Sequence, residues 1–147
     1  MTSSKVKGIY NWEDFLNLSK SIDDKELESR QENLDSDEAI NIQYTSGTTG
    51  FPKGATLSHH NILNNGYFTG ATMNFTEQDR LVVPVPLYHC FGMVLANLAC
   101  LTHGACAIYP SESFEPDLAL KAVEDEKATA LHGGPTAPYT QLTRPTT

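Results

Sequence analysis

No run of apolar residues approaches the ~18 that a membrane-spanning helix needs, and the first residues, Met-Thr-Ser-Ser-Lys-Val-Lys-Gly, carry no apolar stretch of a secretory signal. Basic residues are few and scattered, 10 Lys and Arg against 18 Asp and Glu for a net charge of −8. Without a basic patch, nucleic acid is excluded as a partner. The acidity is front-loaded: residues 1–40 hold five Lys and Arg against ten Asp and Glu. Cysteine is also scarce. Cys90, Cys100 and Cys106 are odd in number and form no C-x-x-C pair, which fits reduced thiols in an intracellular compartment, cytoplasmic or mitochondrial. Cys90 beside His89 suggests a Cys/His nucleophile, but neighbours in an extended segment point apart. A small buried apolar residue is the simpler reading. No internal repeat is visible.

What the chain does have is concentrated in residues 44–54, Tyr-Thr-Ser-Gly-Thr-Thr-Gly-Phe-Pro-Lys-Gly. Gly47, Gly50 and Gly54 let the backbone approach a ligand so that successive N–H groups can turn inward as an anion nest. Ser46, Thr48 and Thr49 add hydroxyls. Lys53 adds a cation whose backbone is steadied by the fixed φ of Pro52. A flexible Ser/Thr/Gly linker has the same composition, yet the context is ordered. Ile40, Ile42 and Tyr44 alternate with Asn41 and Gln43 as in a strand, and an amphipathic helical run begins soon after Gly54. Strand, loop and helix make a phosphate site. It is not a Walker A loop, because no Gly-Lys-Ser/Thr stands at the required spacing.

At 147 residues and 39% hydrophobic content, the chain suffices for one domain with a core. Residues 10–19 predict a short helix with Asn11 at its cap and Trp12, Phe15 and Leu16 on one face. The charged stretch that follows reads as a surface helix or loop, so residues 1–39 form an acidic lead-in and residues 40–147 the main body. There, elements alternate: strand 40–45; helix from about Ser58, which can cap it, to about Thr69; strand 81–83 ended by Pro84 and Pro86; helix 91–102 stopped by Gly104; strand 105–109; helix 117–127 with Leu118, Ala122 and Val123 inward; and strand 128–131, ending at Gly133-Gly134-Pro135. The expected fold is α/β with a mostly parallel sheet. Ligands in such sheets bind beyond the carboxyl ends of the strands, where the loop and the 84–92 segment both fall.

The undecapeptide at 44–54 resembles the signature loop of the adenylate-forming superfamily, which comprises acyl-CoA synthetases, luciferases and peptide-synthetase adenylation domains. Residues 84–92, Pro-Val-Pro-Leu-Tyr-His-Cys-Phe-Gly, resemble the next motif of that family, and residues 40–142 are similar to fatty-acyl-CoA synthetases, especially the medium-chain kind. The resemblance implies an ATP-dependent, AMP-forming fatty acid–CoA ligase with ATP and Mg2+ as cofactors, CoA as co-substrate, and a fatty acid as substrate. It implies that Ser46, Gly47, Thr48, Thr49, Gly50, Lys53 and Gly54 hold pyrophosphate, that Thr45 helps to hold magnesium, and that Lys53 and His89 are catalytic. His89, Phe91 and Gly92 would meet the acyl group. Met93, Val94 and Leu95 suit the acyl tunnel or helix-core packing equally, and Tyr88 suits wall or core. His59, His60, His103 and His132 read as packed polar residues. Family members run to several hundred residues, so the chain is expected to be part of the large N-terminal domain, ending before the Tyr-Gly-x-Thr-Glu segment and inactive alone. The alternatives are a non-catalytic nucleotide-binding or interaction module and a peptide-synthetase adenylation domain.

Overall fold

The computed structural model describes residues 8–45 and 50–134, and the chain divides into two compact units, residues 1–38 and 39–147. In the first unit, Asn11 caps α1 (Trp12–Leu18) by accepting the Asp14 amide at 2.8 Å, and the Trp12 and Phe15 rings stack 5.9 Å apart. The 3-10 turn Ser19–Ser21 leads to α2 (Asp24–Glu32), which Asp23 caps through the Glu26 amide. Neither helix buries a residue, which agrees with their acidic composition.

The second unit opens with a feature that the sequence pattern did not announce. Strand β1 (Ala39–Thr45) returns as an antiparallel partner, β2 (Lys53–Ser58), before any helix begins. The glycine-rich loop is therefore the connection of a hairpin, not a strand-to-helix turn. Lys-Gly-Ala-Thr-Leu-Ser has little intrinsic strand preference, and it is ladder pairing with β1 that makes it a strand. Burial along β1 also inverts the expected pattern: Asn41 and Gln43 are half-buried, whereas Ile40, Ile42 and Tyr44 are exposed.

Ser58 then caps α3 (His59–Thr72) in a reciprocal box with Asn61: its hydroxyl accepts the Asn61 amide at 3.2 Å while Asn61 Oδ1 accepts the Ser58 amide at 3.1 Å. A second helical run, α4 (Cys90–Gly92), a π-helical segment (Met93–Leu98) and α5 (Ala99–His103), crosses α3 at its glycines. A Cβ on Gly66 would stand 2.5 Å from Leu98 Cβ, so the two backbones approach as only glycine permits. Gly104 ends the run with a left-handed φ of 70°.

Three short strands, β3 (Arg80–Val82), β4 (Cys106–Ile108) and β5 (Ala130–Leu131), form the parallel sheet in the order β4-β3-β5. The mixed α/β class with a parallel sheet is as expected, and the β1–β2 hairpin is the antiparallel addition. Leu81 and Val82 are wholly buried, and the core joins Phe75, Leu81 and Val83 to Ala96, Ala99 and Cys100 of the helical run. Helix α6 (Pro116–Asp125) buries Ala119 and half-buries Ala122 and Val123. Leu118, expected to face inward, is 39% exposed: it sits one turn before Ala122, at the margin of the stripe that Ala119 centres. At the amino end of the sheet, Asp79 accepts from the Thr129 hydroxyl and from the Thr76 amide and hydroxyl, and Arg80 reaches Glu126. That end is thereby fastened, and the carboxyl end is left to the loops.

Candidate active site

Of the loop, Ser46, Gly47, Thr48 and Thr49 lie outside the described residues. Its two ends are described. Thr45, the last residue of β1, stands opposite Lys53, the first of β2, and the Thr45 hydroxyl points to the Lys53 carbonyl at 3.5 Å. A hydroxyl and an ammonium-bearing residue thus flank the mouth of a turn rich in glycine and threonine. One pair further in, Gly54 faces Tyr44 and packs under Ile42, whose Cγ2 would meet a Cβ at 2.9 Å. Gly50 takes a φ of 114°, a conformation that a residue with a Cβ adopts at a cost.

The second motif is a braced turn. Pro84 is buried, Val83 donates to Ile108 at 2.8 Å, and the His89 amide donates to the Pro86 carbonyl at 3.2 Å. His89 is the N-cap of α4, and its Nδ1 accepts the Phe91 amide at 3.0 Å. That bond consumes the Nδ1 lone pair, so the neutral ring carries its proton on Nε2, which is left free to donate. Gly92 is buried beneath the same turn, where a Cβ would fall 2.5 Å from the Pro86 carbonyl oxygen. Gln43 joins the two motifs: its Nε2 donates to the Tyr88 carbonyl at 3.2 Å.

Phe91 stacks against the His132 ring with centroids 4.8 Å apart, which brings the end of β5 to the His89 turn. His132 is packed at a strand end, as the sequence suggested, and in addition its Nδ1 is buried with no hydrogen-bond partner among the described residues. Burial holds its pKa below the ordinary 6.5. Its only sequence signal was its place at a strand end ahead of Gly133-Gly134. His103 does behave as packed, with its ring on Tyr67 and its Nδ1 near the Ala99 carbonyl.

Val94 and Leu95 line a cavity of about 310 Å³ with Leu57, Ile62 and Cys90, so Val94 serves core and cavity wall at once. Tyr88 is 82% exposed and is not core, but it lines a separate cavity of about 460 Å³ with Pro86, Leu87 and Phe114. The catalytic-cysteine reading finds no base among the described residues: Cys90 Sγ lies 3.8 Å from His89 Nδ1, and that nitrogen is already engaged by the Phe91 amide. Burial, and secondarily Cys106, pushes the Cys100 thiol up to about 11, which keeps it protonated. The described residues hold no cluster of three or more His, Cys, Asp or Glu suited to a metal, and no helix long and apolar enough to cross a membrane.

A hairpin whose connecting residues have this composition, joined through Gln43 to the turn that carries a capped histidine, coincides with a sequence match over residues 2–144 to the family described as AMP-binding enzyme. The chain belongs to this family. Among AMP-binding relatives it is 49% identical over 143 residues to YngI of Bacillus subtilis (strain 168), provisionally named an acyl-CoA synthetase, covering 97% of this chain and 26% of the relative. It is 43% identical to the mitochondrial medium-chain acyl-CoA ligase ACSF2 of Danio rerio, over 99% of this chain and 24% of the relative. The chain therefore spans about a quarter of the length of these relatives. Among solved structures, ATP-bound MatB from Rhodopseudomonas palustris superposes with a TM-score of 0.70 at 34% identity, covering 77% of this chain and 22% of that one. MenE from Bacillus subtilis, in complex with ATP and a magnesium ion, follows with 0.63 at 26% identity, over 76% and 23%. The fold is that of the adenylate-forming, acyl-CoA ligase-like enzymes.

Proposed function

We propose that this chain carries the pyrophosphate-binding hairpin and the carboxylate-facing histidine of an ATP-dependent, AMP-forming fatty acid–CoA ligase. Residues 40–147 supply this machinery and residues 1–39 lead into it. The observation that carries the reading is the pairing of Thr45 with Lys53 across the mouth of the loop. It sets a lysine and a hydroxyl-bearing threonine at the base of a turn in which every residue but Pro52 offers a backbone or hydroxyl donor.

In the reaction, a carboxylate oxygen attacks the α-phosphorus of ATP, the bond to the β-phosphate oxygen breaks, and pyrophosphate leaves with the electron pair. The thiol of CoA then attacks the acyl carbon of the acyl-adenylate, and AMP departs. The first step crowds anions together, so fixed donors and a cation at the departing phosphates contribute most. Lys53 and the amides and hydroxyls of 46–50 meet that need. His89, donating from Nε2, orients the carboxylate or steadies the oxygen that gains charge. Thr45 offers a hydroxyl to magnesium, which when bound draws charge from the phosphate oxygens. The cavity at Val94 and Leu95 accepts apolar acyl carbons.

The test is ATP–pyrophosphate exchange by the protein encoded by the complete gene, across a ladder of fatty acids. Exchange that rises with a medium-length acid supports the assignment. Its absence with every carboxylic acid, while ATP still binds, turns the reading to a non-catalytic nucleotide-binding module.

A further inference from the structure

The half-buried Gln43 is an anomaly on its strand. Ile42 and Tyr44, on either side, close over Gly54 on one face, so period-two geometry sends Gln43 to the other. An amide side chain turned inward needs partners, and the partner it finds among the described residues is 45 residues away. Its Nε2 donates to the Tyr88 carbonyl, the acceptor of the peptide whose nitrogen belongs to His89. That nitrogen in turn donates to the Pro86 carbonyl. Both polar ends of the Tyr88–His89 peptide are thus held, one by its own turn and one by the hairpin that bears the loop.

We propose that Gln43 is a positioning residue, a clasp between the loop-bearing hairpin and the His89 turn that fixes the direction in which the His89 imidazole presents Nε2. The inference rests on the functional reading above and adds to it a residue outside both motifs. The peptide plane before His89 determines where its Cα–Cβ bond points, and the Phe91 amide bond determines the ring rotation. Freeing the Tyr88 carbonyl releases the first constraint and leaves the second. The imidazole then swings with its turn instead of holding to the hairpin, and a misplacement of an ångström is enough to slow a positioned group severalfold or more.

The experiment uses the complete protein with Gln43→Met, which keeps length and removes the donor, alone and combined with His89→Ala. Two readouts are needed: the kcat and KM of ATP–pyrophosphate exchange, and hydrogen exchange of backbone amides in residues 86–92. The clasp predicts that Gln43→Met lowers kcat about tenfold with KM for ATP little changed, the size that loss of one partly exposed neutral hydrogen bond permits. In the His89→Ala background the same change lowers kcat less than about twofold, because the two act as one unit. Amide exchange over 86–92 speeds up. Equal losses in both backgrounds, or unaltered amide exchange, overturn the proposal. If His89→Ala and Lys53→Ala leave activity intact, the functional reading has failed instead. Amide exchange then decides the clasp by itself: faster exchange in Gln43→Met sustains it, and unaltered exchange ends it.

Discussion

Replacing Gly92 by alanine sets two effects of opposite sign against each other. Gly92 has helical dihedrals, φ −75° and ψ −46°, so helix propensity, which reflects the stiffer unfolded chain of alanine, favours alanine by about 1 kcal/mol. Against it, the new Cβ would stand 2.5 Å from the Pro86 carbonyl oxygen, 3.0 Å from its carbon and 3.1 Å from Leu87 Cα. All three are backbone atoms, none the yielding tip of a side chain. The turn cannot ease aside freely, because Pro84 and Pro86 fix two of its φ angles and Val83 is bonded to Ile108. Overpacking of a close contact costs about 1–3 kcal/mol, and a backbone wall on a braced turn places this one at the upper end. Overpacking wins, with a net loss of about 2 kcal/mol. A urea titration of the complete protein measures it from the shift in midpoint at constant slope. The displaced turn also carries His89, so the kcat of ATP–pyrophosphate exchange falls with it. A Gly92→Ala protein as stable as the parent, or more so, refutes the reasoning.

Lys53→Ala, at an exposed position at the start of β2, is expected to cut ATP–pyrophosphate exchange at least about 100-fold, as loss of a charge-stabilising donor does, while thermal melting leaves the midpoint within a degree or two. His132 gives a pH signature. Its folded pKa lies below the ordinary 6.5 because of burial, so the unfolded chain binds the proton more readily. Stability contributed by the neutral ring is full above that value and declines as pH falls beneath it. Melting midpoints from pH 8 to pH 5 should show the decline, and His132→Phe, which keeps the stack on Phe91, should flatten that part of the profile. Asp79 acts lower on the scale: the Thr129 hydroxyl, then the Thr76 amide and hydroxyl, hold its pKa below 3.8. Asp79→Asn therefore lowers stability at neutral pH, and the difference from the parent narrows as acid protonates the carboxyl. Gly66→Val places a branched side chain against Leu98 and its backbone. A loss of about 2–3 kcal/mol by urea titration is expected, and a neutral result would show that α3 and the helical run can slide apart.

The parts of the fold that were legible are those where local chemistry and tertiary need agree. Asn11 and Ser58 announced their helices because a side-chain acceptor at that position satisfies amides that nothing else nearby can reach. The apolar run at 81–83 and the alternation of helices and strands gave away the parallel sheet, since a strand covered on both faces must be apolar throughout. Strand β2 was hidden for the converse reason: its six residues have no preference of their own and are strand only because β1 lies alongside. The π-helical stretch 93–98 was equally unreadable, because Met-Val-Leu-Ala-Asn-Leu suits an α-helix as well, and the wider turn belongs to how the run sits against α3.

At the candidate site, the same distinction separates the residues that the sequence singles out from those that it does not. Thr45, Lys53 and His89 stood out because the chemistry of anions calls for hydroxyls, a cation and a poised imidazole, and those residue types are uncommon side by side. Gln43 and His132 could not stand out, for each gains its place from a partner far along the chain: a carbonyl 45 residues on in one case, the Phe91 ring in the other. Read in β1, Gln43 is merely the polar half of an alternation. Its half-buried position, on a strand whose apolar residues are the exposed ones, marks it only after folding has chosen which face turns inward. Departures of burial from pattern gather where a fold serves something other than its own stability, and here the departure lies on the strand that delivers the loop.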